Sequence, residues 1–355
     1  MLSLTFGGDT SLGDVHISRA APHLQDTLRA NPEWFFEDVS PLLSGSDEII
    51  VNLETVLSEN PVSPWEGKKR FLGWDTPTQT LRALKSIGVS VVSLANNHTM
   101  DFGWKVLDDT MSHLARSGIS QVGAGGSLLE SFSPHIIPYG GNGSAHKIYL
   151  FSGMQVQKSL RDDYDFYAAV DSGGVAPASQ DRLCLCIRAT KVADPKGLII
   201  VMPHWGRNYR WASKSMRSLE ASFYEAGADI VIGHGAHMLQ QLQATGQSAT
   251  IFSLGNFVFN WAGRFDKFDA PPFGLVARLE VEPKGERVWR VNLKAYPILS
   301  NNRDTGYKPR PVTAEEFERV AEVVGSKSGA SFSERFKAGR DERGWGFCYD
   351  FYTSK

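Results

Sequence analysis

The sequence predicts an α/β protein, and three observations carry that expectation. Short apolar runs rich in Val, Ile and Leu recur along the chain, as in "VVSLA" and "GLIIVM". Segments with helical punctuation, Pro in the first turn and Gly past the end, lie between several of them. Six of the apolar runs stop at a short polar cluster of similar type. Strands that alternate with helices build sheets covered by helices.

Taken in order, Leu2 to Phe6 reads as a strand ending in Gly7-Gly8-Asp9, and Glu48 to Val51 as a strand ending in Asn52-Leu53-Glu54. Thr76 to Ser86 is expected to be helical, with Pro77 in its first turn and Gly88 beyond its end. Val89 to Leu94 is a Val-rich strand, and Trp104 to Ser117 a helix stopped by Gly118. Residues 153–195 are polar, with "RDDYDFY" and "DSGG", and read as an inserted flap; within it Cys184 and Cys186 alternate as on one strand. Gly197 to Met202 is a buried strand, Ser213 to Glu225 a helix ended near Gly227, and Ile230 to Ile232 and Ala249 to Ser253 complete the series. Residues 274–296 read as a hairpin, which makes the later sheet antiparallel or mixed. The expected organisation is a main domain over 1–300 and a polar, basic-aromatic extension over 301–355 that packs on it.

Composition removes several function classes. The 355 residues suffice for a sizeable core, and a hydrophobic content of 42% with 21% charged residues is ordinary for a globular protein. A net charge of −2 gives no general attraction to nucleic acid or anionic lipid. Three cysteines make no disulfide framework and fit a reducing compartment. "MLSLTFGGDTSLGD" has no basic stretch followed by an apolar one, and no later run is long enough to span a membrane, so the expected location is cytoplasmic.

The polar clusters carry the chemistry. Asp9, Glu54, Asn97-His98, His204, His234 with His237, and Gly255-Asn256 each follow an apolar run. Singly, each has an ordinary reading: Asp after Gly-Gly as a turn residue, Asn-Asn as a cap, His before Trp as packing. Together they gather carboxylate, amide and imidazole at strand ends, where α/β sheets place their sites, and this mixed O/N set suits divalent transition metals. His16, His23, His113, His135 and His146 lack such company and read as surface or packing residues.

In these blocks, "GGDTSLGD", "VNLETVL", "VVSLANNHTMDFG", "MPHWGRNY", "GADIVIGHGAHMLQ" and "FSLGNFVF", residues 2–260 resemble the CapA/PgsA-like branch of the metallophosphatase fold, associated with poly-γ-glutamate capsule synthesis. The resemblance implies a four-layer αββα sandwich, two central mixed sheets flanked by helices. It implies one or two divalent ions, Mn, Fe or Zn. Asp9 and His237 would hold the first, Glu54 would bridge, and Asn97, His204 and His234 would hold the second. His98 would act as general acid or oxyanion donor, with Asp101 either orienting it or capping the next helix. Asn256 would close the floor of the site.

Three departures stand out. Ser11 occupies a position that carries His in the wider superfamily, Arg207-Asn208-Tyr209 lacks an acid, and Phe71-Leu72-Gly73-Trp74-Asp75 lacks an Arg. Lys68, Lys69 and Arg70 precede that last block, and Arg210 and Trp211 follow Tyr209. Arg207, Tyr209, Arg70 and Trp74 are the expected substrate contacts, suited to a carboxylate-rich peptide or polyglutamate-like chain. The expected function is a metal-dependent enzyme acting on such an amide. Three alternatives stay open: a cytoplasmic peptide epimerase that inverts a Cα in a ribosomal peptide such as a lasso peptide, a phosphoesterase, and a non-catalytic binding module.

Overall fold

A computed structural model of the protein describes residues 1–140, 145–329 and 331–353; residues 141–144 of the expected main domain and 330, 354 and 355 of the expected extension lie outside that range. The principal elements are β1 (Leu2–Ser11), β2 (Glu48–Leu53), α1 (Pro77–Ser86), β3 (Val91–Ser93), α2 (Gly103–Arg116), β4 (Ser120–Val122), β5 (Lys147–Gln155), α3 (Leu183–Ala193), β6 (Leu198–His204), α4 (Lys214–Ala226), β7 (Ile230–Ile232), β8 (Ala249–Ile251), β9 (Asn256–Phe259), β10 (Phe273–Pro283), β11 (Trp289–Leu299), α5 (Ala314–Ser328) and β12 (Trp345–Tyr352). The chain is α/β, as the alternation of apolar runs and helices predicts. Local chemistry sets the helix ends. Ser213 caps α4 by accepting from the Met216 N–H, and Gly227 ends it at φ 109°. Thr313 and Glu316 form a reciprocal capping box on α5.

Two mixed sheets carry the molecule. The ten-stranded sheet runs β12-β11-β10-β1-β2-β3-β4, with Lys337–Arg340 outside β12 and β9 also paired to β1. Its β1, β2, β3 and β4 are parallel neighbours, whereas β10 and β11 form the expected antiparallel hairpin, in register from Phe273↔Leu299 to Pro283↔Trp289. The seven-stranded sheet has β5, β6, β7 and β8 parallel at its centre.

Alternation along each strand divides the core. Ile50 joins a cluster with Ile148, Ile200 and Ile230, so the two sheets share one apolar interior. Its neighbours Ile49 and Val51 face Leu84 of α1 and Leu107 of α2. Ile199 and Val201 likewise turn away, toward Ile187 of α3 and Phe223 of α4. This is the two-residue period of a strand covered on both faces.

Two expectations are corrected. Cys184 and Cys186 lie on a helix, α3, and not on a strand. The buried residues there are Leu183, Cys184 and Ile187, a helical spacing that two alternating cysteines masked. Residues 153–195 are not one flap. Gly153 to Gln155 finish β5, Pro177–Ala178 pair with it, and α3 packs on the sheet. The segment after 301 adds β12 to β11 from Arg290↔Tyr352 to Ala295↔Phe347, and Phe317, Val320 and Val324 of α5 share a core with Phe347. Among the described residues no helix is long and apolar enough to cross a membrane.

Candidate metal centre

The site forms where the strands of both sheets end. Asp9 lies on β1 in register with Asn52 of β2 on one side and Asn256 of β9 on the other. The pairing shifts between Gly7 and Asp9, and a Cβ on Gly8 would stand 1.8 Å from the Gly255 carbonyl oxygen. Only glycine allows that approach, and the Asp9 N–H then donates to Gly255 O at 2.9 Å. Glu54 follows β2, its N–H held by Thr10 O at 2.9 Å. From the other sheet, His204 ends β6 and pairs across an isolated bridge with His234, which follows β7. Gly235, at φ 102°, gives His204 room, since a Cβ there would lie 2.7 Å from the imidazole. His237 adopts a left-handed φ of 58°, an uncommon conformation that marks a constrained position.

These groups converge. Asp9, His204 and His234 offer ligand atoms within 4.8 Å of one another, and so do Asp9, Glu54 and His237. His204 Nδ1 stands 3.0 Å from His234 Nδ1. Asp9 Oδ1 is 3.6 Å from His234 Nδ1, and its Oδ2 is 3.2 Å from His237 Nδ1. Glu54 Oε1 is 3.8 Å from His237 Nε2. The carboxylate common to both groups is therefore Asp9, where the resemblance implied Glu54. The reason is position: Asp9 lies at the seam of the sheets with Oδ1 toward His234 and Oδ2 toward His237, whereas Glu54 reaches the His237 side.

Supporting contacts fix the candidate ligand atoms. The Asn52 amide donates to Asp9 Oδ1 at 2.9 Å and to Glu54 Oε2 at 3.3 Å, and Gly235 N–H donates to Asp9 Oδ1 at 3.2 Å. Asn256 Oδ1 lies 3.0 Å from His237 Nδ1, so the expected floor residue orients an imidazole. Asp9, Glu54, His204, His234 and His237 are all buried. Yet among the described residues Asp9 Oδ2, Glu54 Oε1 and His234 Nε2 have no hydrogen-bond partner. Buried polar atoms without partners are costly, and three in one cluster fit a bound cation.

Electrostatics agree with that fit. Burial opposes ionisation of Asp9, but the imidazoles of His234 and His237 outweigh it and hold its carboxyl well below the usual range. Burial and the neighbouring Asp9 push the Glu54 carboxyl well above its ordinary value. Burial, helped by His234, keeps His204 from taking a second proton, leaving the neutral form that ligates metal.

His98 belongs to neither group. Its Nδ1 lies 2.7 Å from Asp101 Oδ2 and its Nε2 4.0 Å from Glu54 Oε1. Burial lowers its proton affinity despite Asp101. Asp101 also accepts from Gly73 N–H at 2.9 Å and binds Lys69 Nζ, while α2 has no side-chain cap, so Asp101 orients His98 and does not cap the helix. Of the asparagine pair, Asn96 is consumed within the fold, donating to Asn52 Oδ1 and Leu53 O and accepting from His98 N–H. Asn97 is half-buried beside it, and its carbonyl accepts from Lys69. Ser11 does not face the cluster chemistry; its hydroxyl donates to Asp75 Oδ1 at 3.1 Å.

The rim differs from expectation in part. A cavity of about 750 Å³ is lined by His16, Lys69, Arg70, Trp74 and Trp261, among others. Arg70 and Trp74 thus border open space, but Arg207 is exposed and does not line the cavity. Tyr209 is buried, stacked on Phe268 at 5.5 Å and near His237 at 5.8 Å, so its ring supports the rim from beneath. Sequence reasoning missed Trp261, 5.5 Å from the His98 ring, and Arg264, 5.7 Å from the Tyr209 ring. Both follow "FSLGNFVF", and neither carries a local signal that separates it from an ordinary loop residue.

Comparison with known proteins covers the same residues. The family model described as "Bacterial capsule synthesis protein PGA_cap" matches residues 3–261. The chain is 29% identical over 257 residues to the capsule biosynthesis protein CapA of Bacillus anthracis, covering 71% of this chain and 59% of that one. It is 29% identical over 265 residues to the PGA biosynthesis protein CapA of Bacillus subtilis, covering 73% and 64%. A probable polyglutamine synthesis accessory protein of Mycobacterium tuberculosis is 27% identical over 227 residues, 62% and 57% of the two chains. The match spans about three-fifths of the length of the two CapA proteins. Since the family model matches most of the chain, from residue 3 to residue 261, the chain belongs to the PGA_cap family of bacterial capsule synthesis proteins.

Proposed function

We propose that the chain is a metal-dependent enzyme that acts at an amide carbonyl of a peptide or poly-γ-glutamate-type substrate, on a scaffold of the four-layer metallophosphatase type. The observation that carries this reading is the trio of buried, unpartnered atoms on Asp9, Glu54 and His234. Asp9, Glu54, His204, His234 and His237 would hold the metal. A divalent ion supplies Lewis acidity, which polarises a carbonyl and activates water.

The chain's own residues do the rest. Asp101 takes the Nδ1–H of His98, which leaves the lone pair on Nε2, the atom facing Glu54. A neutral imidazole in that tautomer takes a proton from the reacting group. Lys69 and Gly73 N–H hold Asp101 in place, so the tautomer is fixed from behind. The cavity over Trp74 and Trp261 admits the substrate and gives it apolar surface to lie on.

Metal content of protein purified without chelator tests the reading. Wild type should carry metal, and Asp9→Ala, which removes the member common to both groups, should lose it. Incubation with glutamate oligomers in deuterated water then separates cleavage from Cα exchange. A wild type that takes up no added metal would refute the proposal.

A further inference from the structure

Helix α3 is apolar on two faces, and the fold covers one of them. Leu183, Cys184 and Ile187 turn into the core shared with Phe223 of α4. Leu185, Ala189 and Val192, spaced four and three apart, lie together on another face, and all three are exposed. Among the described residues nine large apolar side chains are exposed, and four of them belong to this side of the molecule. Leu129 (80% exposed), Val170 (74%) and Leu185 (58%) border one groove of about 330 Å³, whose wall also holds Leu128, Phe132 and Cys186. Val192 (77%) lies two turns along α3 from Leu185. Val170 sits in a turn closed by the Ala169 N–H on Ser172 O at 2.9 Å, a place where polar residues are usual. A helix that is apolar on both sides belongs to an interior, and apolar groups gathered at a surface mark a contact.

The charges at the two ends of α3 say what the cover is. Asp181-Arg182 stands just before the helix, and Asp194-Pro195-Lys196 just after it. This arrangement reads the same way reversed. If a second α3 lies antiparallel across the first, with Ala189 near the crossing, Leu185 meets the partner's Val192. Arg182 then meets the partner's Asp194, and Asp181 meets the partner's Lys196. Acid meets base at both ends, apolar meets apolar between them, and a two-fold axis repeats every contact. The charges are available for this. Among the described residues Asp181 and Arg182 enter no ion pair. Asp194 accepts from the Tyr149 hydroxyl and the Lys196 N–H and binds no cation there. Lys196 meets Glu286 at 3.3 Å, but that acid is 82% exposed, and such pairs contribute little. A partner of another sequence has no need of a pattern that reads alike from both ends. We infer that a second copy of this chain covers the face, α3 packing antiparallel on the partner's α3, with Leu129 and Val170 of each copy extending the apolar contact beyond the helices.

Sedimentation equilibrium of the full chain over a range of concentrations tests this without any assay of activity. Wild type should approach twice the mass of one chain and dissociate on dilution. Leu185→Glu and Val192→Glu, at positions exposed in the single chain, should keep the wild-type thermal midpoint of the monomer and raise the dissociation constant about tenfold or more, since each buries an unpaired charge in the contact. Asp181→Lys should weaken the dimer as well, and adding Lys196→Asp to it should restore association, because the swap returns acid to base across the two-fold axis. Oxidation of Ala189→Cys in a Cys186→Ser background should link two chains through position 189. A wild type that stays monomeric at every concentration overturns the inference, whether or not the face holds a lipid vesicle or another protein. So does a dimer that both glutamate variants leave intact. A double charge variant no tighter than Asp181→Lys alone, together with no link through position 189, overturns the antiparallel pairing of α3 and with it the inference.

Discussion

Asp9 and Glu54 answer to the same burial in opposite ways. Asp9 has imidazoles on both sides and gives up its proton readily, whereas Glu54 faces Asp9 and holds its proton well above the usual range. Metal uptake at the proposed centre should therefore expel a proton from Glu54, and affinity should rise with pH until that carboxyl ionises by itself. Titrations in buffers of different ionisation enthalpy should show proton release on metal binding, and less of it in Glu54→Gln. For His98, outside both ligand groups, the expected outcome of His98→Ala is metal content equal to wild type with turnover lowered about 10²–10⁴-fold. Elemental analysis beside an oligomer assay checks both halves, and lost metal would move His98 among the ligands. That Asp9, Glu54, His204, His234 and His237 lie together was legible only from the set, since each follows an apolar run while each alone has an ordinary reading. Lys69 and Arg264 were not, since a lysine or arginine in a loop looks the same whether it meets solvent or Asp101 and Phe268.

At the scale of elements, the end of β1 shows where local reading stops. Gly7-Gly8-Asp9 looks like a turn, yet β1 runs on to Ser11 because β2 and β9 pair with it from both sides. Tertiary pairing overrides the turn propensity of the residues. Gly8→Ala should cost on the order of 3 kcal/mol, because its Cβ would meet backbone and no side chain can yield. Denaturant melts of the variant check this, and an unchanged midpoint would mean that β1 can shift. Beyond β1, the buried Asp75 carboxyl accepts from Leu12 N–H at 2.7 Å and Gly13 N–H at 2.8 Å. Burial, with Asp14 nearby, pushes Asp75 up to about 7. The folded state thus holds a proton that the unfolded chain has already released, and the stability this lends on the acid side is lost as pH rises from about 4 to about 7. Thermal midpoints across that window should fall in wild type and fall less in Asp75→Asn. The type of most elements was readable from period and punctuation. The helix α3 was not, because two cysteines two apart imitate a strand.

Over the whole molecule, the family match and the sheet do not end together. The match stops at residue 261, yet β10, which begins at Phe273, pairs with β1 from Leu2↔Val281 to Phe6↔Ala277 and so flanks the strand that carries Asp9. Behind it, β11 and β12 continue the same sheet. We propose that residues 301–355 belong to the folding unit of the main domain. Truncation after Ser300 should then give protein that aggregates or melts well below wild type, and equal thermal midpoints would refute this. The hairpin was legible from its alternation, but its attachment to β1 was not, since nothing local states which strands become neighbours. The cluster itself is divided between the sheets: Asp9 and Glu54 come with one, His204 and His234 with the other. Neither sheet owns a complete binding site, so an ion shared by both would act as a fastener across their common interior. Whatever free energy such binding releases would also oppose separation of the two sheets, and ion affinity would serve as a gauge of how firmly the halves of the chain are docked.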